Sequence, residues 1–273
     1  PSSASPDWAW PEQAPMSGRV QASLPQIGLW SRLAPPGWRM RGSLQADITI
    51  DGSRAQPEWR GTLRAGDLAL RSLLDGLEFS DGQLQASLSG ETLTIDSLRL
   101  RGAGGQAGGM LLGSGSATWA RGAVPTGRAA PRREPRIALK LQAQQLRLFA
   151  RADRRLSLSG QLDARLQGNQ LDLGGQLQVD QALILLPDES APKLGEDVVV
   201  RGSSGNTRPA ADSPVQTRVQ LELGLGDDFR LRGLGLDTYL KGRLQLSAQP
   251  GQGLPHVNGL VHTERGNYRA YGQ

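Results

Sequence analysis

The feature that most constrains this chain is a two-residue alternation of apolar and polar side chains, broken at intervals by a slip of one residue. Near the C-terminus Val219, Leu221, Leu223 and Leu225 alternate with Gln220, Glu222 and Gly224, and Phe229 and Leu231 alternate with Arg230 and Arg232. Leu234, Leu236, Leu244 and Leu246 continue the series. Successive side chains of a strand leave on opposite faces, so this pattern predicts a sheet with one apolar face and one polar face. Gly226-Asp227-Asp228, Arg232-Gly233-Leu234-Gly235 and Pro250-Gly251-Gln252-Gly253 punctuate it with turn residues.

Upstream the alternation becomes a repeat. A Gly-x-Leu-x-Ala unit occurs as Gly42-Leu44-Ala46, Gly61-Leu63-Ala65, Gly82-Leu84-Ala86 and Gly160-Leu162-Ala164, with a variant at Gly242-Leu244-Leu246. A second unit widens one apolar spacing from two residues to three: Leu63-Ala65-Leu68-Leu70, Leu93-Ile95-Leu98-Leu100, Leu141-Ala143-Leu146-Leu148 and Leu177-Val179-Ala182-Ile184. The wider step breaks strand parity, and a β-bulge or tight kink there returns the apolar side chains to one face. The slip falls on Gly66-Asp67, Asp96-Ser97, Gln144-Gln145 and Asp180-Gln181, mostly small or polar residues. Asp51-Gly52, Asp75-Gly76, Asp81-Gly82 and Gly168-Asn169 carry hairpin signals. The repeats predict a quasi-one-dimensional β stack of roughly a dozen or more strands, about 60 Å long at about 4.8 Å per strand.

The rest of the chain divides around that stack. Residues 1–16 read as an extended lead-in, Ser17 to Pro25 as a first strand, and Gln26 to Leu33 as a short helix ended by Pro35-Pro36. Trp30 and Trp38 read as core aromatics at one end of the sheet. Residues 102–135, with a strand at Met110 to Trp119 inside them, and residues 201–214 read as mobile insertions.

Composition excludes several functions. The chain has no cysteine, which rules out a disulfide framework and a thiolate metal site and fits periplasm or cytoplasm. No apolar run approaches the roughly 18 residues of a membrane span, and no signal peptide is visible. The net charge of +5 is read first as a solvated arginine surface and second as attraction to anionic headgroups or an acidic partner. Nucleic acid is not expected, because the cations are dispersed and not interleaved with aromatic stacking residues.

Catalytic chemistry is not visible either. His256 and His262 stand six apart with no serine or carboxylate pattern around them. Gly102-x-Gly104-x-x-Ala107 follows a strand but precedes no helix pattern, so it reads as a loop and not as a dinucleotide turn. Asp227-Asp228 reads first as a solvated turn and second as a cation ligand pair. The clusters Arg128, Arg132, Arg133, Arg136 and Arg151, Arg154, Arg155 read first as solvated loop and edge residues and second as contacts for lipid headgroups. No catalytic residue, metal site or cofactor is expected, and the chain does not read as an enzyme.

Gly226-Asp227-Asp228, Gly233-Leu234-Gly235-Leu236, Leu240-x-Gly242-x-Leu244 and Gly266-x-Tyr268-x-Ala270-Tyr271-Gly272 also carry a family resemblance. With the Leu33-to-Trp38 turn, Pro57 before Gly61, and Ile184-Leu185-Leu186-Pro187, they make the chain similar to the C-terminal domain of TamB, the inner-membrane-anchored partner of the BamA-like outer-membrane protein TamA. The resemblance implies an all-β, elongated, U-shaped repetitive sheet, the β-taco, with a hydrophobic groove and at most one or two short helices. Residues 1–273 are then a single fragment of that domain, whose strands continue beyond Gln273.

The groove so implied is lined at the alternation positions. On the early strands these are Leu44, Ile48, Ile50, Leu63, Leu68, Leu70, Leu84, Leu88, Leu93, Ile95, Leu98 and Leu100. Leu139, Leu141, Leu146, Leu148, Leu162, Leu166, Leu177, Val179 and Ile184 follow. Val219, Leu221, Leu223, Leu225, Phe229, Leu231, Leu244 and Leu246 complete the set. The implied function is a periplasmic segment of a bridge between the inner and outer membranes of a Gram-negative bacterium, tethered to the inner membrane by a segment upstream of Pro1. It would carry phospholipid acyl chains and, with a TamA-like outer-membrane protein, support outer-membrane assembly. Two alternatives stay open: shielding of unfolded outer-membrane proteins, and a closed, structural or adhesive parallel β-helix. Regular coils would mark the β-helix, and the uneven spacings here argue against it.

Overall fold

The computed structural model describes residues 11, 13–28, 37–53, 55–72, 76–119, 135–149, 151, 153–186, 216–250 and 256–269. Among them are thirteen strands and no α-helix. The strands are β1 (Gly18–Leu24), β2 (Trp38–Gly52), β3 (Pro57–Ser72), β4 (Glu78–Ser89), β5 (Thr92–Gly102), β6 (Met110–Thr118) and β7 (Arg136–Arg147). After them come β8 (Arg154–Gln167), β9 (Gln170–Leu185), β10 (Gln216–Gly224), β11 (Phe229–Gly233), β12 (Leu236–Ala248) and β13 (His256–Tyr268). All belong to one sheet.

From β1 to β9 each strand pairs antiparallel with the next. The turns explain part of this: a tight hairpin loop joins antiparallel strands only. At Gly168-Asn169 the strands close on the pair Gln167–Gln170, as the hairpin signal predicts. β10 and β11 then lie end to end, both parallel to β9 on one side and antiparallel to β12 on the other. Residues 225–228 separate these two pieces of one split strand. β13 pairs with β12 at the far edge. Antiparallel neighbours throughout β1–β9 exclude the parallel β-helix.

The sequence slips become bulges. Register shifts occur between Ala65 and Leu68, between Ile95 and Leu98, between Ala143 and Leu146, and at Asp180 beside Ser157 and Leu158. Asp67 and Gln145 take left-handed φ values of 51° and 47°, which makes the kink without glycine. The shifts in β2 at Gly42 and in β4 at Asp81-Gly82 lie beside Asp67, and Asp180 lies across β8 from Gln145, so these bulges form a crease, whereas the β5 slip at Asp96-Ser97 stands opposite Gln85 and Ala86, off that line. A bulge bends its strand, and aligned bulges bend the sheet into its taco-like form.

Two hairpin signals work differently from the expectation. Asp81-Gly82 lies inside β4, where Asp81 at φ 49° makes a bulge. Asp51-Gly52 ends β2, and the turn itself is Ser53 to Gln56, closed by mutual backbone hydrogen bonds. Bulges and type I′ turns both need positive φ, so the same dipeptides serve either.

The first part of the 102–135 stretch forms regular elements, among them the strand expected at Met110 to Trp119. Gly102 ends β5, residues 105–108 form a 3-10 turn, and Met110–Thr118 is β6. This turn tucks against β7, where Ala103 N–H donates to Arg147 O at 2.8 Å. Gly102 must be glycine, because a Cβ there would collide with the carbonyl oxygens of Gly108 and Arg147. Beyond the turn β7 reaches past the β5–β6 hairpin to β4: Glu78 N–H donates to Leu148 O at 3.3 Å, and Leu77 bridges Phe149. Residues 120–134, 201–214, 1–10 and most of the proposed helix, including Trp30, lie outside the described residues. Trp38 opens β2 opposite Ser72 and is half-buried.

Buried apolar side chains concentrate along the crease. Ala143, Leu146 and Leu158 form a cluster on which Phe79, Leu111, Leu148, Leu156 and Leu177 pack. Val179, Ala182 and Leu225 are buried beside it. Burying a leucine or valine fully contributes about 1.5–3 kcal/mol.

Candidate functional site

The registers let the apolar face be followed strand by strand. One row reads Leu24, Leu44, Ala65, Leu84, Leu98, Gly113, Leu141, Leu162, Gly175, Leu221, Leu246 and Val257. It runs from the first edge of the sheet to the last without a polar side chain. The next row is Ala22, Ala46, Leu63, Ala86, Ile95, Gly115, Leu139, Ala164, Leu173, Val219 and Ala248. On the other side of the first, Leu100, Leu111, Ala143, Gly160, Leu177, Leu223, Leu244 and Gly259 form a third.

Glycine and leucine interlock where these rows meet the crease. Gly160 at φ 142° leaves room for Leu177, whose Cα would stand 2.9 Å from a Cβ at 160. Gly175 does the same for Leu162, with Cα at 3.0 Å. Two Gly-x-Leu segments thus pack reciprocally across β8 and β9.

All the residues proposed to line a groove fall on this one face, because each is separated from its neighbours by two residues or by a bulge that restores parity. Leu88, Leu146, Val179 and Leu225 are buried, Ile184 is exposed, and the rest are half-buried. The bulges bring Leu146 and Leu148 into line with Leu158 and Leu156 of β8. Sequence reasoning missed several members of the same face: Val20, Leu24, Leu111, Ile137, Leu156, Leu158, Leu171, Leu173, Leu240, Val257 and Val261. The Leu156-Ser157-Leu158-Ser159 alternation was the signal for two of them. Every strand belongs to the one sheet, so among the described residues no separate layer of secondary structure stands over the apolar face.

The opposite face is polar and ionic. Arg19 donates to Asp47 (Nε to Oδ1, 2.8 Å), tying β1 to β2 and holding the Asp47 carboxyl down at about 2. Arg230 donates to Asp237 (Nε to Oδ1, 2.7 Å) and lowers its pKa. Arg151 does the same to Asp153. Lys241 sits between Glu264 at 2.7 Å and Asp227 at 2.9 Å, which raise its pKa. Tyr239 lies beneath Arg265, 4.1 Å from the guanidinium carbon to the ring centroid, with Arg230 at 5.7 Å. An open depression of about 320 Å³ bounded by Ser114, Lys140, Gln161 and Asp163 also belongs to this polar side.

The residues set aside for other chemistry fit this picture. Asp227 pairs with Lys241, and Asp228 accepts from Gln181 Nε2 at 2.9 Å, so both carboxylates hold the break between β10 and β11. His256 and His262 are exposed on the polar side of β13, opposite Ser247 and Lys241. Among the described residues no group of three or more His, Cys, Asp or Glu side chains is placed to hold a metal. Arg151 and Arg154 pair with Asp153, Arg155 and Arg136 are exposed, and Arg128, Arg132 and Arg133 lie outside the described residues. No described helix is long and apolar enough to cross a membrane.

Fold and face together define a class: an open, creased, repetitive β-sheet whose one apolar face extends from edge to edge. The family described as TamB C-terminal domain matches residues 101–273, more than half of the chain, and the chain belongs to that family. Membership connects it with the TamB and TamA assembly system and with the Gram-negative periplasm. No curated protein matches the chain, and no solved structure does. The matched region begins at the end of β5, yet the apolar rows continue without interruption into β1–β4.

Proposed function

We propose that the apolar face is the wall of a lipid path, and that the chain is a segment of a bridge carrying phospholipid acyl chains between the inner and outer membranes. One observation carries the reading: rows of aliphatic side chains run perpendicular to the strands from β1 to β13, and most of those side chains are only half-buried. A packed core buries its leucines, because exposed aliphatic area costs about 25 cal/mol per Å². A continuous, half-open aliphatic strip is what an acyl chain needs in order to leave water. Leu44, Ile48, Ile50, Leu63, Leu84, Leu98, Leu100, Leu141, Leu162, Leu221, Leu223 and Leu246 are in this reading contact residues for lipid. The chain catalyses no reaction in it; it lowers the cost of moving an apolar tail through water. Tethering to the inner membrane through a more N-terminal segment and engagement of a TamA-like outer-membrane protein complete the proposal.

A second reading has its own support. β13 is exposed along its whole length, and among the described residues its outer edge has no partner strand. Such an edge can pair with an unfolded outer-membrane strand.

The test places two charges across the path: Leu98→Asp with Leu100→Asp, and separately Leu221→Asp with Leu223→Asp. An open path can be wetted, so both doubles are expected to keep a β circular dichroism spectrum and near-native Tm. They should lose lipid in photocrosslinking from whole cells and fail to support outer-membrane integrity. Folded doubles that load lipid and function as the parent does would defeat the lipid path.

A further inference from the structure

One end of the sheet carries an exposed apolar side chain at a left-handed turn position. The β11–β12 hairpin closes on the pair Gly233–Leu236, with Leu234 and Gly235 as its two-residue loop. Both loop residues have positive φ, 52° and 79°. That is the type I′ signature, where Asn-Gly is favoured and a bulky side chain at the first position is out of place. The hairpin turns Gly90-Glu91 and Gly168-Asn169 put glycine at their positive-φ position. Leu234 is thus held in a strained conformation, and its side chain is 45% exposed. An outlier of this kind is kept where something other than the fold uses it.

Its surroundings say what it meets. Leu236 pairs with Tyr268, Arg269 N–H donates to Gly235 O at 2.8 Å, and Leu186 N–H donates to Arg232 O at 2.7 Å. These bonds gather the end of β9, the hairpin loop and the end of β13 into one surface. On it Tyr268 is 70% exposed, Leu185 39% and Ile184 37%. Arg232 and Arg269 flank the loop, and Arg154 and Arg155 stand on β8 beside the end of β9. Among the described residues Asp153 and Asp237 are the nearby acids: Asp153 pairs with Arg151 and Arg154, and Asp237 with Arg230 and, at 3.9 Å, Arg232. Arg155 and Arg269 have no carboxylate partner among the described residues.

We propose that this end of the sheet docks on an anionic phospholipid bilayer surface, with Leu234 as the inserted apolar group. Leu234 enters the headgroup–acyl boundary, Tyr268 lies at the interface with its ring in the apolar side and its hydroxyl in water, and the arginines meet lipid phosphates. An apolar tip, an interfacial tyrosine and a basic rim are the elements that peripheral membrane contact requires. The contact lies at the end of the sheet, shares Ile184 with the proposed groove lining, and stands whether or not the apolar face carries lipid.

The experiment is flotation of the purified chain with vesicles of phosphatidylcholine containing a minority of phosphatidylglycerol, against vesicles of phosphatidylcholine alone. The chain should float with the anionic vesicles only, and less as salt rises. Leu234→Asn supplies the residue that the turn prefers, so its Tm should stay or rise while binding weakens about tenfold, the expected loss for one buried leucine. Arg155→Glu with Arg232→Glu should weaken binding further, whereas Leu98→Asp with Leu100→Asp should leave it intact. No flotation of the parent chain overturns the proposal, and so does equal flotation with neutral vesicles. A Leu234→Asn variant that binds normally, or whose Tm falls, assigns Leu234 to packing and also overturns it.

Discussion

Between β7 and β9 the strands bury Ala143, Leu146, Leu158, Val179 and Ala182 along the crease. Between β11 and β13 the same alternation continues, but Thr238 is the buried side chain there, and ionic links on the polar face join the strands. Lys241 links β12 to β13 through Glu264 and to the β10–β11 break through Asp227. The centre is held by volume that water cannot enter, and the C-terminal end by charges that water screens. The difference teaches that a repeated pattern can make one sheet with two kinds of cohesion. The screened end is the part free to adapt to an added strand or a surface.

The largest expected effect separates the two regions by one substitution in each. Val179→Asp buries an unpaired carboxylate at a position 2% exposed, at a cost of several kcal/mol. Leu244→Asp places the same charge on the half-buried C-terminal row. The first variant should be insoluble or unfolded by circular dichroism, and the second folded with a modest fall in Tm. Equal losses would mean that the C-terminal rows are as closed as the crease.

An intermediate effect concerns Lys241. Its pKa is raised by Glu264 first and Asp227 next, so its contribution is complete below the ordinary value of 10.5 and is lost as pH rises through the higher folded value. Lys241→Met therefore removes the whole link at neutral pH. Hydrogen exchange of β13 amides should accelerate while the amides of β8 and β9 keep their protection. Unchanged exchange in β13 would move its cohesion to the backbone ladder.

The smallest effect is at the other edge. Arg19, and after it Gln21, hydrogen-bond Asp47 and hold its pKa at about 2, against the opposing effect of desolvation. A depressed carboxyl stabilises above its ordinary value of 3.8, and the stabilisation is lost as pH falls from there through about 2. Residual structure in β1 should therefore fade in that window, followed by amide protection, and Asp47→Asn should remove the pH dependence. Loss of the central strands over the same window would contradict the local origin.

Read along the chain, the local rules were visible. The slips at Gly66-Asp67, Asp96-Ser97, Gln144-Gln145 and Asp180-Gln181 stand where the registers shift, because parity is a property of consecutive residues. The shared face of Leu44, Leu84, Leu141 and Leu221 was legible for the same reason. Leu158 was missed although the Leu156-Ser157-Leu158-Ser159 alternation marked it, and Val257 was missed because glycine and threonine replace the aliphatic residues along the same face of β13. Asp81-Gly82 was misread because positive φ serves a bulge as well as a turn.

Alternation, slip and turn chemistry are short-range, so the sequence by itself determined that this chain is a one-sided β-sheet with kinked strands. Which strands become neighbours depended on distances that no local pattern encodes. Tertiary structure alone set β10 parallel to β9, placed β11 in line with β10, carried β7 past the β5–β6 hairpin to β4, and aligned the bulges of β2, β3 and β4 with one another and that of β7 with that of β9. The physical reason is that a strand's faces follow from its own backbone geometry, whereas its partner is chosen by whichever arrangement satisfies the hydrogen bonds and covers the apolar rows of the whole sheet together.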